Sequence, residues 1–81
     1  MGAGVQHPIP LRLVQPGEIA EVIDVCGDER LVASLAEKGL RKGSRVEVIV
    51  PGNPSLCRVD DSRLSLRTGE QIEVMVAIRT A

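Results

Sequence analysis

The sequence predicts a mainly β domain: a small, strongly bent barrel of five to six short strands, with one helix inserted after the first long strand. Three observations carry this expectation. Short runs of alternating apolar and polar residues recur along the chain, separated by Gly, Pro and Asp turn signals every eight to twelve residues or so. Only the segment 28–38 carries helical spacing instead. The chain, at 81 residues, is too short for two full sheets, and a bent sheet that curls on itself is the economical way to bury a thin core and limit exposed edges.

Each element follows from local residues. Residues 1–10 read as a flexible tail, because Gly2, Gly4, Pro8 and Pro10 interrupt any periodicity. The ordered domain is expected over residues 11–79. Leu11 and Leu13 alternate with Arg12, a short strand pattern. Pro16-Gly17 is a turn, with proline presetting φ and glycine supplying a positive φ after it. Glu18 to Val25 is the first long strand. Ala20 and Val22 face one way and Ile19, Glu21 and Ile23 the other, so the strand either bulges or is buried on both faces.

Asp28 to Lys38 is the helix. Asp28 is a good N-cap, Glu29 suits the positive end of the helix dipole, and Leu31, Val32, Leu35 and Ala36 form one apolar face. Leu31 and Leu35 are expected to plug one open end of the barrel. Gly39 suits the left-handed residue that closes a helix, and Leu40 follows where it can pack back on the last turn. Beyond a turn at Gly43, the Arg45–Val50 strand places Val46, Val48 and Val50 on one face. Pro51-Gly52-Asn53-Pro54 is the strongest loop signal. Leu56 to Val59 is a short strand, Asp60-Asp61-Ser62 a tight connection, and Leu64 and Leu66 point inward from the next strand. After a turn at Gly69, Ile72, Val74, Val76 and Ile78 form the inward face of the last strand.

Composition excludes several function classes. Val, Ile and Leu supply 25 residues, well above a disordered composition. No apolar run approaches the ~20 residues needed to cross a bilayer, and no basic stretch leads into an apolar one near the N-terminus. No direct membrane insertion and a cytoplasmic location are therefore expected. Net charge is −1, which gives little gain from phosphate neutralisation, and the absence of Phe, Trp and Tyr leaves no platform on which bases stack. Nucleic acid is thus not the expected partner.

The inventory for catalysis is poor, and the chain is not expected to be an enzyme. His7 is the only histidine and lies in the tail; no serine sits in a strand-turn-helix elbow, and no glycine-rich phosphate loop is present. The adjoining carboxylates Asp60 and Asp61 fit a solvated turn. The two cysteines, Cys26 and Cys57, stand at no chelating spacing and read as small buried hydrophobes. No cofactor is required, and folding should need neither metal nor disulfide. A weak transition-metal site from Cys57 with Asp60 or Asp61, or one shared between chains, is the alternative.

Recognition is left to the loops. Glu37-Lys38-Gly39-Leu40-Arg41-Lys42 puts four charged side chains around a forced turn. Pro51 to Leu56 is stiffened by its prolines, which lowers the entropy lost on binding. Lys38, Gly39, Leu40, Arg41, Lys42, Asn53 and Leu56 are the candidate partner-contacting residues.

The order of these signals resembles the FeoA family. The Pro-Gly-Glu turn leads into Ala20-x-Val22; Gly27 follows, then Leu35-Ala36-Glu37-Lys38-Gly39-Leu40, Gly43, Val46-x-Val48, Leu64-Ser65-Leu66-Arg67 and Ile72-Glu73-Val74. The match spans about residues 11–78. It departs from the usual pattern at Ala33 and Ser34, where a basic pair is common, and at Lys38 and Lys42. The resemblance implies an SH3-like barrel acting as a cytosolic accessory beside FeoB, the membrane protein that imports ferrous iron and carries a GTP-binding domain. It also implies an alternative: a regulatory module that binds another protein or a transition metal, akin to the SH3-like domain of DtxR-type repressors.

Overall fold

The computed structural model describes residues 7–79. One six-stranded antiparallel sheet carries the fold, with strand order β1-β6-β2-β3-β4-β5. The strands are β1 (Ile9–Pro10), β2 (Ile19–Gly27), β3 (Arg45–Val50), β4 (Ser55–Val59), β5 (Ser62–Leu66) and β6 (Ile72–Arg79). A single helix α1 (Glu29–Glu37) joins β2 to β3. This is a small SH3-like barrel with its helix where the sequence places it.

The alternation in the sequence sets the core. Ala20 and Val22, Val46 and Val48, Cys57 and Val59, Leu64 and Leu66, and Ile72, Val74 and Val76 are all buried. Their neighbours along each strand face outward, as the two-residue period requires. A register shift between Val22 and Asp24 in the β2–β6 ladder settles the two-sided pattern of β2 as a bulge. Ile23 is the extra residue, and beyond it Asp24, Val25 and Cys26 resume pairing with Met75, Val74 and Glu73.

Three local expectations are corrected. Ile9 and Pro10 are not part of a tail; they pair with Val76 and Met75 of β6. Residues 1–6 of the expected tail lie outside the described residues. Leu11–Leu13 is a 3₁₀ turn rather than a strand. The residue that shares a side with Leu11 is Val14, whose N–H donates to the Leu11 carbonyl at 3.0 Å; both are buried, while Leu13 is 55% exposed. The spacing that matters there is three, not two. Val50 is 52% exposed, because a register shift between Val48 and Val50 turns it off the inward face.

The helix begins as its residues dictate. The Asp28 carboxylate accepts from the N–H groups of Arg30 (2.9 Å) and Leu31 (3.2 Å). It ends in a Schellman motif: the Leu40 N–H donates to the Leu35 carbonyl at 2.8 Å and the Gly39 N–H to Ala36 at 3.0 Å. Gly39 has φ +102°, the left-handed geometry expected of it. Leu35 is the helix's buried anchor, with Val32 packed partly against the core, whereas Leu31 is 37% exposed and plugs nothing.

Candidate functional site

The turn after α1 is built as a rigid unit. Ser44 Oγ donates to the Gly39 carbonyl at 2.6 Å and accepts from the Arg41 N–H at 3.0 Å. The Ser44 N–H donates in turn to the Arg41 carbonyl at 2.9 Å. Two further backbone bonds tie the turn to β2: Gly43 N–H to the Val22 carbonyl and Val22 N–H to the Ser44 carbonyl, each 2.8 Å. The charged segment 37–42 is therefore held by its own serine and by the strand beside it. Sequence reasoning passed over Ser44; its place one residue after a turn glycine was the available signal.

This turn forms one wall of a pocket of about 290 Å³. Val32 and Ala36 of the helix, Val25 from the bulged end of β2 and Leu40 supply its apolar lining. Asp24, Arg41 and Lys42 complete it, the last two exposed to solvent. The bulge matters here: it carries Asp24 and Val25 into this position after Ile23 breaks the register. A volume of this size admits one or two apolar side chains rather than an extended small molecule.

The structure divides the candidate contact residues. Leu40, Arg41 and Lys42 meet at the pocket, but Leu40 is only 1% exposed, so it belongs to the core and offers a partner no more than its edge. It packs back on the last helical turn, as its place after Gly39 predicts, with its N–H bonded to the Leu35 carbonyl. Lys38 is exposed at the helix C-cap, beside this site. Asn53 stands elsewhere. Its side chain clips two loops together, donating from Nδ2 to the Thr68 carbonyl and accepting at Oδ1 from the Thr68 N–H, each 3.1 Å. It lines a second, more polar groove with Leu31, Arg67 and Glu70. Leu56 is half-buried within β4 and lines neither pocket.

Among the described residues, no three His, Cys, Asp or Glu side chains are grouped to hold a metal ion. Cys57 is fully buried in the core, while Asp60 and Asp61 are exposed at the β4–β5 turn. Burial pushes the Cys57 thiol above the ordinary range. Cys26 is exposed, and its thiol donates to Asp24 Oδ2 at 3.2 Å. That hydrogen bond is the main reason its pKa is raised, with the negative charges of Asp24 and Glu73 adding to it.

No helix among the described residues is long and apolar enough to cross a membrane. Neither a curated protein nor a solved structure matches the chain significantly. The family model of the FeoA domain matches residues 9–78, nearly the whole described chain and including the short β1 strand. The chain therefore belongs to the FeoA domain family, whose general role is that of a non-catalytic accessory in ferrous iron transport.

Proposed function

We propose that this protein binds the cytosolic part of an FeoB-type transporter through the pocket and charged turn that follow α1. Family membership supplies the transport context. The observation that carries the reading is the pairing of an apolar lining (Val25, Val32, Ala36, Leu40) with the cations Arg41 and Lys42 on a hydrogen-bonded turn. An apolar side chain of the partner enters the pocket, and a carboxylate beside it meets Arg41 or Lys42. The turn is ordered before binding, so little conformational entropy is lost on association. Exposed cations at the rim act mainly on association rate and salt dependence.

The experiment is a pulldown and calorimetric titration with the soluble FeoB domain from the same organism, with and without guanine nucleotide. Simultaneous charge reversal at Lys38, Arg41 and Lys42 should weaken binding about tenfold or more without unfolding the domain, since all three are exposed. Unchanged binding by that variant would move the interface away from this turn.

A further inference from the structure

The sheet has two ends, and they are treated differently. β1 ends one side, but it is two residues long and contains Pro10, so it offers little to pair with. β5 ends the other side with five residues and no proline. Its inner residues Leu64 and Leu66 are buried, so the core runs up to this edge. Its outer residues Arg63 and Ser65, and Arg67 directly after it, are exposed.

The β4–β5 ladder shows which backbone groups are unused. Asp60 and Asp61 form a two-residue turn closed by the pair Val59–Ser62. In such a hairpin the closing pair exchanges hydrogen bonds and the pairs then alternate. Arg63 and Ser65 therefore aim their N–H and C=O groups away from β4, toward the open edge.

The side chains there are charged alike. Arg58 and Arg63 are direct cross-strand partners, in the non-hydrogen-bonded pairing that brings side chains closest. Like charges so placed oppose sheet formation. Arg58 is drawn to Glu47 at 3.6 Å, but Arg63, Arg67 and Arg45 form no ion pair among the described residues. The face built by β3, β4 and β5 thus carries Arg45, Arg58, Arg63 and Arg67 against Glu47 and, at the turn beside Arg45 and Arg58, Asp60, in a chain whose net charge is −1.

We propose that the β5 edge is a docking site for an extended acidic protein segment that adds to the sheet as a further strand. The pairing fixes the chemistry of that segment. Residues opposite Arg63, Ser65 and Arg67 share the outer face and are acidic; those opposite Leu64 and Leu66 lie over the core and are apolar. The ligand is an alternating acidic–apolar strand, held by main-chain hydrogen bonds and selected by side chains. Antiparallel self-pairing about Ser65 sets Arg63 against Arg67, which disfavours a second copy in that register. This site is separate from the pocket beside α1, and it stands or falls without it.

The test uses the full chain, labelled with nitrogen-15, and a blocked synthetic peptide of alternating glutamate and valine. A control peptide carries the same residues as one glutamate block and one valine block. Saturable binding of the alternating peptide should slow amide exchange at Arg63 and Ser65 about tenfold or more, leaving the β2–β6 ladder unchanged. The double variant Arg63→Glu, Arg67→Glu should bind about tenfold more weakly, because both exposed cations meet ligand carboxylates. Ser65→Pro, which deletes an edge N–H at a position where proline is tolerated, should weaken binding with every arginine in place. The proposal is overturned by equal affinity for the block peptide, by no binding at millimolar peptide, or by unchanged exchange at Arg63 and Ser65 under saturation. Slowed exchange that tracks protein concentration without peptide would assign the edge to a second copy and overturn it as well.

Discussion

Gly27 and Gly39 both have positive φ, but for different reasons, and their variants should separate. Gly39, at φ +102°, has only Val59 Cγ1 near the position of an added Cβ, at 3.9 Å. Gly39→Ala should cost just the left-handed backbone strain, about 1–2 kcal/mol. Gly27, at φ +137°, lies against the Gln71 carbonyl and the Ile72 Cα, so an added methyl group collides with backbone that cannot swing aside. Beside it, the Asp28 N–H donates to that same Gln71 carbonyl at 2.8 Å, which couples the start of α1 to the start of β6. Gly27→Ala should cost about 3 kcal/mol or more, strain and overpacking together. Urea denaturation of both variants checks the order, and equal losses would contradict it. The two cysteines separate in the same way. Cys26, exposed, should alkylate in the native protein, and Asp24→Asn should speed that reaction at mildly alkaline pH by removing the carboxylate that holds the thiol protonated. Cys57, fully buried, should react only on unfolding. Mass spectrometry of partly alkylated protein distinguishes them, and an unchanged Cys26 rate in Asp24→Asn would remove the hydrogen bond as the cause.

At the scale of elements, the turn after α1 depends on one hydroxyl. Ser44→Ala deletes the bond Oγ donates to Gly39 and the one it accepts from Arg41. The expected loss is about 1–2 kcal/mol, or several degrees in Tm for a domain of this size, together with weaker partner binding. A variant of unchanged stability would mean that the backbone bonds to β2 hold the turn alone. The same scale shows what the sequence makes legible. The helix was readable at both ends, because Asp28 and Gly39 act on neighbours within a few residues. The inward faces of β5 and β6 were readable, because Leu64, Leu66, Ile72, Val74 and Val76 keep a strict period of two. The β1 strand was not, since two residues carry no period and their order comes entirely from β6. Nor was the exposure of Val50, which follows from a shift in pairing against β4 rather than from its own neighbours. In the candidate site, Arg41 and Lys42 were legible as exposed charges on a forced turn. Val25 and Asp24 were not, because the bulge that brings them to the pocket is a property of the β2–β6 ladder.

Across the whole molecule, a net charge of −1 conceals a division. Arginine dominates the outer face of β3 to β5, while Arg41 and Lys42 stand with Asp24 at the pocket beside α1. Net charge describes the bulk response to polyanions, whereas recognition depends on where unpaired charges lie. For this member of the FeoA domain family, the contact we propose is the α1 pocket with an FeoB-type partner. The most direct measurement is amide chemical-shift mapping of the nitrogen-15-labelled chain as the soluble FeoB domain is added, in the presence and absence of guanine nucleotide. Shifts should concentrate at Asp24, Val25, Ala36, Leu40, Arg41 and Lys42 in at least one nucleotide state and be lost in the Lys38, Arg41, Lys42 charge-reversed variant. No shifts in any state, or shifts that leave these residues untouched, would contradict it.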